Sequence, residues 1–157
     1  MTEHTIKPFF DKDSKVLILG SFPSVASRAT GFYYGHKQNR FWKVMSALTN
    51  ERTPETLEEK MHLLKKHNIA LWDVIASCDI KGSQDSSIDN VTVNELSRVL
   101  AGCNITRIFV NGRKAYELYN KYLCQRYGKA EYLPSTSAAN AAFSIEKLCS
   151  EWSKIFK

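Results

Sequence analysis

The amino-acid sequence predicts an α/β fold, in which helices pack against a parallel β-sheet. Short apolar runs alternate along the chain with longer amphipathic segments, which is the order of a strand–helix–strand protein. The apolar runs are continuous rather than alternating with polar residues, as is typical of strands covered on both faces. No linker, low-complexity tract or internal repeat interrupts the 157 residues, so we expect one domain spanning residues 1–157.

These segments predict four strands and five helices. The predicted strands are residues 15–20, 68–74, 106–111 and 130–134. The predicted helices are residues 39–48, 54–67, 93–100, 113–127 and 141–156. Pro54 is typical of a first helical turn, and Gly128 is typical of a helix end. Thr92 and Glu95 have the spacing of a capping box, which predicts the start of the third helix.

The charge balance favours a polyanionic partner. The chain has 22 Lys and Arg against 16 Asp and Glu, a net charge of +6, and side chains that neutralise phosphates release counterions. Charge alone is weak evidence, because many basic proteins bind no nucleic acid. No apolar run is long enough to cross a bilayer, and residues 1–10 lack the layout of a signal peptide. We therefore expect a cytoplasmic protein with no membrane partner.

The sequence lacks the usual motifs for a metal, a nucleotide cofactor or a nucleophilic triad. No C-x-x-C pair is present, and no His lies close enough to a Cys to complete a zinc motif. The phosphate-binding patterns GxxxxGK[ST] and GxGxxG are also missing. We expect no metal and no cofactor, and the four cysteines are interpreted as small buried apolar residues. These cysteines are Cys78, Cys103, Cys124 and Cys149.

Polar residues follow the predicted strands, and in parallel α/β sheets the functional site lies beyond the carboxyl ends of the strands. After the first strand, residues 31–42 form a long connection rich in aromatic and amide side chains. This loop either lines a site or covers the sheet edge. Asn111, after the third strand, either forms a turn or reads a base edge. The hydroxyls of residues 135–137 either contact phosphates or cap a helix. Asp73, after the second strand, either caps a turn or acts as a base.

Two of these segments resemble the motifs of a known family. They are Gly20-Ser21-Phe22-Pro23-Ser24 followed by Tyr34-Gly35-His36-x-x-Asn39-Arg40-Phe41-Trp42, and Leu133-Pro134-Ser135-Thr136-Ser137-Ala138-Ala139-Asn140. They are similar to the motifs of the hypoxanthine-DNA glycosylases, also called DNA-deoxyinosine glycosylases, a branch of the uracil-DNA glycosylase superfamily. Residues 70–75 and 82–88 are also similar, and the resemblance extends from about residue 5 to residue 156.

The resemblance implies a three-layer α/β/α sandwich with a four-stranded parallel sheet and a DNA groove at its carboxyl edge. It implies hydrolysis of an N-glycosidic bond without a metal or cofactor. By position, Asn39 matches the asparagine that orients the attacking water, and Asn111 matches the asparagine that recognises the flipped base. Ser21, Phe22, Tyr34 and His36 are further candidates for base binding, with Phe22 and Tyr34 as stacking surfaces. Ser135, Thr136, Ser137 and Asn140 are candidates for contact with the DNA backbone.

One departure from the wider superfamily affects the expected substrate. Many relatives carry an Asp or Asn inside the first motif, where this chain has Ser21-Phe22-Pro23, so efficient uracil excision is not expected. The sequence leaves three hypotheses: a monofunctional glycosylase that prefers hypoxanthine, one that prefers uracil or mismatched pyrimidines, and a non-catalytic module that binds damaged DNA. The expected partner is double-stranded or single-stranded DNA with a deaminated base, and we expect the protein to be a monomer.

Overall fold

The computed structural model describes residues 1–157 and contains seven strands and seven α-helices. The strands are β1 (Thr2–Glu3), β2 (Val16–Gly20), β3 (Ile69–Asp73), β4 (Ile75–Asp79), β5 (Asp89–Val93), β6 (Arg107–Asn111) and β7 (Glu131–Leu133). The helices are α1 (Val25–Thr30), α2 (Phe41–Thr49), α3 (Leu57–Lys66), α4 (Ser97–Leu100), α5 (Arg113–Tyr122), α6 (Cys124–Tyr127) and α7 (Ile145–Trp152). Two 3₁₀ turns are formed by Asp85–Ser87 and Ser153–Phe156.

The central sheet has four parallel strands in the order β3-β2-β6-β7, which confirms the predicted fold class. The register pairs Gly20 with Asp73 and Asn111 with Leu133, so these residues lie at the carboxyl edge of the sheet. All five residues of β3 are buried, as are the last four of β2. Complete burial explains why the strands read as continuous apolar runs.

The strand order reverses between β2 and β6, and this reversal positions the functional edge. The chain moves from β2 outward to β3, then returns past β2 to β6 and on to β7. Because parallel crossovers are right-handed, α1–α3 cover one face of the sheet and α4–α6 the other. The connections leaving β2 and β6 therefore diverge at their carboxyl ends and open a crevice, the usual ligand position in this architecture.

A second, antiparallel sheet in the order β1-β4-β5 was not predicted. The expected helix over residues 93–100, with Thr92 as its cap, is wrong: Thr92 lies within β5, and α4 begins only at Ser97. The β-branched residues Val91 and Val93 are half-buried in this strand, an environment that favours a strand over a helix. The strand ends at Val93 and is followed by Asn94, whose side-chain amide donates to the carbonyls of Asp73 and Ile75.

Several helix boundaries differ from the predictions because side-chain caps decide them. Helix α3 begins at Leu57 rather than Pro54, because Thr56 and Glu59 form a capping box. Helix α7 begins at Ile145 rather than residue 141, and Ser144 caps it. The predicted helix 113–127 is interrupted at Leu123 between α5 and α6. Helix α1, capped by Ser24, was not predicted.

The hydrophobic core is one cluster of 34 buried residues that spans the sheet and both helical layers. Trp152 of α7 is fully buried against Phe41 of α2. Its indole Nε1 donates to the carbonyl of Pro134 at 2.9 Å, which fixes the turn after β7 to the last helix. No helix is long and apolar enough to cross a membrane.

Candidate active site

The segment before α2, the end of β6 and the turn after β7 meet at the side chain of Thr136. The Thr136 hydroxyl donates to Asn39 Oδ1 at 2.8 Å and accepts a hydrogen bond from Asn111 Nδ2 at 3.1 Å. The Thr136 backbone N–H donates to Asn111 Oδ1 at 3.1 Å. Two asparagines that are 72 positions apart in the sequence are thus held in one hydrogen-bonded cluster.

The orientation of both amides is determined by backbone donors. The N–H of Phe41 donates to Asn39 Oδ1 at 2.9 Å, and the N–H of Thr136 donates to Asn111 Oδ1. Since a backbone N–H can only donate, the oxygen of each amide must face it. Asn39 therefore keeps only its two Nδ2 hydrogens for another molecule. Asn111 keeps one Nδ2 hydrogen and one Oδ1 lone pair.

Arg40 clamps the segment that follows β7. Its guanidinium donates to the backbone carbonyls of Ser137 at 2.9 Å and Asn140 at 3.1 Å, and also to that of Phe143. The Asn140 amide donates to the carbonyl of Ser135 at 3.0 Å, which tightens the same turn. The guanidinium fork can bridge three carbonyls because its donors lie in one plane. In the sequence Arg40 stands out only as part of the first motif, and no local pattern predicts this contact.

A buried pair from the N-terminal segment supports the end of β3. Ile6 donates its backbone N–H to His4 Nδ1 at 3.2 Å, so the imidazole proton is on Nε2, which donates to Asp73 Oδ2 at 2.8 Å. The side chains of His4 and Asp73 are only 3% and 5% exposed. Asp73 Oδ1 lies against Gly20, where an added Cβ atom would meet it at 2.5 Å. The expectation of Asp73 as a turn cap or base did not anticipate this partner.

Tyr34 adopts an unusual backbone conformation beside the same residues. Its φ of 56° lies in the left-handed region, which is uncommon for a side chain of this size. Its ring stacks on Phe41 with centroids 4.1 Å apart, and its buried hydroxyl has no hydrogen-bond partner. Burial raises the pKa of this hydroxyl, the Asp73 carboxylate raises it further, and the Asn111 amide opposes the rise. Tyr34 therefore remains a neutral phenol with an unused donor.

The other candidates for base binding occupy different environments. The Phe22 ring is buried, with the Arg28 guanidinium 5.4 Å from its centroid and His4 at its edge. His36 is exposed, and its Nδ1 accepts the N–H of Gln38 at 3.1 Å. Ser21 is 9% exposed, and its hydroxyl donates to Asp85. Stacking by Phe22 and Tyr34 stays a prediction.

Thr136 does not have the exposed hydroxyl that contact with a phosphate requires. It is completely buried, its hydroxyl proton is donated to Asn39, and the hydroxyl oxygen accepts a hydrogen bond from Asn111. Ser135 and Ser137 are half-buried on either side of it. The Ser135 hydroxyl accepts the N–H of Ser137 at 3.1 Å, and the Ser137 hydroxyl accepts that of Ala139 at 3.2 Å. These two serines still offer their hydroxyl protons, whereas Thr136 is a structural bridge.

Two further properties of the surface define what the site can hold. No group of three or more His, Cys, Asp or Glu side chains lies close enough together to hold a metal ion. A surface pocket of about 370 Å³ is lined by α3 and the connection before it, including Glu51, Arg52, Glu58 and His62, and shares no residue with the strand exits. The polar cluster at the sheet edge is thus separate from this pocket.

Comparisons with known proteins give one consistent family. The sequence profile of the uracil DNA glycosylase superfamily matches residues 7–156. A hypoxanthine DNA glycosylase of Methanosarcina acetivorans is 36% identical over 149 residues, which cover 94% of this chain and 93% of that protein. A hypoxanthine DNA glycosylase of Methanosarcina barkeri is 30% identical and covers 100% of this chain and 99% of its own. The solution NMR structure of a candidate uracil DNA glycosylase from M. acetivorans superposes with a TM-score of 0.80, at 34% identity, and covers 98% of this chain and 96% of that one.

Proposed function

This chain belongs to the uracil DNA glycosylase superfamily, and we propose that it is a monofunctional DNA glycosylase that releases hypoxanthine from deoxyinosine in DNA. The proposal is carried by one observation: Thr136 joins Asn39 and Asn111 into a fixed polar cluster at the crevice between β2 and β6. That cluster offers directed hydrogen-bonding groups where an everted base can enter. The names of the two Methanosarcina relatives support hypoxanthine as the substrate.

Asn111 supplies the recognition of the base. Thr136 leaves one N–H and one oxygen lone pair of this amide unused, so the amide can both donate to and accept from a base. Hypoxanthine presents the complementary pair, the acceptor O6 beside the donor N1–H. Adenine presents a donor and an acceptor in the reverse order, and Asn111 cannot rotate to match because the N–H of Thr136 holds its oxygen. For bases bound in the same orientation, the fixed amide therefore favours hypoxanthine over adenine.

Eversion of the nucleotide determines which DNA is attacked. Flipping a base out of a duplex costs a few kcal/mol. The cost is lowest for a base that is already mispaired, as hypoxanthine is opposite thymine. The turn proposed to contact the DNA backbone contains Ser135, Ser137 and Asn140. The hydroxyl protons of the two serines are free to donate to phosphates. The net charge of +6 adds a general attraction for phosphates. The Phe22 and Tyr34 rings are the proposed stacking surfaces for the everted base.

Cleavage of the glycosidic bond produces a sugar with oxocarbenium character and an anionic purine. Donors near the base stabilise the developing anion, and the Asn111 N–H and the unused Tyr34 hydroxyl are placed for this role. Asn39 can offer only its Nδ2 hydrogens, because its oxygen already accepts two hydrogen bonds. It therefore holds the attacking water through the water's oxygen and acts by positioning, not by removing a proton.

A panel of duplex oligonucleotides tests this proposal. Each duplex carries one deoxyinosine, deoxyuridine, deoxyxanthosine or G·T mismatch, and alkali after incubation cuts the strand at any abasic site. We expect the fastest cleavage at deoxyinosine. Asn39→Ala should lose most turnover while it keeps DNA binding, and the exposed Asn120→Ala on α5 is the matched control. An absence of abasic sites in every duplex, with binding retained, would favour a damage-binding module.

Uracil is the second candidate substrate, and one specific feature favours it. The imide edge of uracil also places an acceptor beside an N–H donor, so it satisfies the free valences of Asn111 as hypoxanthine does. The rank order within the panel separates the two. Faster release of uracil than of hypoxanthine would assign this second function to the same site.

A further inference from the structure

The proposed reaction needs a group that accepts a proton from water, and the asparagine cluster does not contain one. Asn39 has two donors left and no acceptor, and the Thr136 hydroxyl is completely buried between the two asparagines. The remaining lone pair of Asn111 belongs to the base edge. His4 is buried against Asp73, with its Nε2 proton donated to that carboxylate. The missing acceptor must therefore be another group at the carboxyl edge of the sheet, such as a carboxylate with an unused oxygen.

Asp85 is such a carboxylate: the residue as a whole is exposed, and its hydrogen bond to Ser21 is part-buried. It opens the 3₁₀ turn Asp85–Ser87, and its Oδ1 accepts a hydrogen bond from the Ser21 hydroxyl at 2.9 Å. Its other carboxylate oxygen has no hydrogen-bond partner, and the residue takes part in no ion pair. Ser21 directly follows the last residue of β2 and is 9% exposed. The buried Ser21 hydroxyl at the exit of β2 thus orients the Asp85 carboxylate, which belongs to a segment distant in the sequence.

The segment that carries Asp85 is tied to the exit of β2 at two more points. The Val25 N–H donates to the Ser83 hydroxyl at 2.9 Å, and the Arg28 guanidinium donates to the Gly82 carbonyl at 3.0 Å. These contacts join residues 54 to 58 positions apart. They hold the Asp85 turn against the first motif, so the position of the carboxylate is not that of a free surface loop.

The Ser21 hydrogen bond places Asp85 beside the exit of β2, and charged groups at the exits of β3 and β6 influence its pKa. Burial of the carboxyl raises its pKa, the Ser21 hydrogen bond and Lys114 of α5 lower it, and Asp73 of β3 raises it. Lys114 lies three residues after Asn111, at the start of the helix that leaves β6. Asp73 is the last residue of β3, and its own partner is His4. Asp85 therefore interacts with the exits of all three neighbouring strands.

We propose that Asp85, aimed by the Ser21 hydroxyl, is the general base of this glycosylase; the inference rests on the proposed function. The water oxygen forms a bond to C1′ as the bond from C1′ to N9 breaks, and the electron pair of that bond leaves with the purine. One proton of the water passes to the free oxygen of Asp85 and then to solvent, and the purine anion takes up a proton. A carboxylate near C1′ also stabilises the sugar cation before water attacks.

The pH dependence of base release follows from the protonation of Asp85. The carboxylate must be ionised to accept a proton, so the rate falls as the pH drops through its pKa. Because burial raises that pKa, the acid limb lies above the range of an ordinary aspartate. The charged groups that face this carboxyl are Asp73 and Lys114, with Arg28 on the neighbouring helix.

Single-turnover release of hypoxanthine, measured from acidic to neutral pH, tests the role of Asp85. Asp85→Asn keeps an oxygen for the Ser21 hydrogen bond but cannot accept a proton. We expect it to lose about 100-fold in rate, the lower range for general base catalysis, and to lose the acid limb while binding to uncleaved DNA is kept. Formate should restore part of the rate to Asp85→Ala. Asp13→Asn, at an exposed site before β2, is the matched control.

The outcomes separate this inference from the proposed function. An active wild type together with an Asp85→Asn variant of equal rate and unchanged pH profile overturns the role of Asp85 alone. A variant that loses both rate and DNA binding, without rescue by formate, shows that Asp85 only supports the fold and also overturns it. A wild type that releases no base from any duplex refutes the proposed function, and the inference with it.

Discussion

The substitution Thr136→Val examines whether one hydroxyl holds the site together. It removes the group that donates to Asn39 and accepts from Asn111, while it keeps the branched shape of the side chain. Asn39 retains the Phe41 N–H, and Asn111 retains the N–H of Thr136. The variant should therefore fold, with both amides freer to rotate than in the wild type.

The expected magnitudes follow from the two lost hydrogen bonds. At about 1 kcal/mol of net stabilisation for each, the free energy of unfolding should fall by about 2 kcal/mol. For a chain of this size that corresponds to a decrease in Tm of roughly 6 °C. The effect on the rate should be larger, because a displacement of about 1 Å in a positioning group can reduce turnover about 100-fold.

Denaturant unfolding and single-turnover base release, measured on the same preparation, separate the two effects. Thr136→Ser restores the hydroxyl and should recover most of the rate. Thr92→Val, on the exposed face of β5, is the control for loss of a threonine hydroxyl elsewhere. If Thr136→Val were less stable but released hypoxanthine at the wild-type rate, the cluster would be structural only, and our assignment of the site would be wrong.

Three further predictions concern the surroundings of the site. His4→Ala should lower the free energy of unfolding by about 3 kcal/mol in urea titration, because it leaves the Asp73 carboxylate buried without its partner; an unchanged midpoint would show that water replaces the imidazole. Arg40→Lys should increase amide hydrogen exchange over residues 137–143, since one ammonium cannot bridge three carbonyls, and unaltered exchange would contradict the clamp. Affinity for undamaged duplex should fall roughly 100-fold between 50 and 200 mM salt if about four phosphates are neutralised, and a flat salt dependence would exclude that mode of binding.

The central strands were predictable because burial on both faces leaves a direct trace in the sequence. Each of the four parallel strands lies within one residue of its predicted bounds at either end. The antiparallel sheet left no such trace, since β4 and β5 are partly exposed. Propensity and capping signals around Thr92 pointed to a helix there, and tertiary pairing with β4 prevailed.

Individual site residues were predictable, but the contacts between them were not. The strand-end rule and the motifs located Asn39 and Asn111. The bridge from Thr136 to Asn39 joins residues 97 positions apart, and the pair of His4 with Asp73 spans 69. No local pattern encodes partners at such separations. Asp85 lay in a segment similar to the family, but only its hydrogen bond to Ser21 gives it a place in the site.

Amide NMR shifts on titration with a duplex that binds but is not cleaved test our central claim most directly. A deoxyinosine with fluorine at C2′ serves as the ligand, because the electronegative substituent disfavours the sugar cation. We predict that the largest shifts fall in residues 20–24, at Asn111 and in residues 135–140. Shifts confined instead to the pocket around Glu51 and His62 would contradict the assignment of the active site to the carboxyl edge of the sheet.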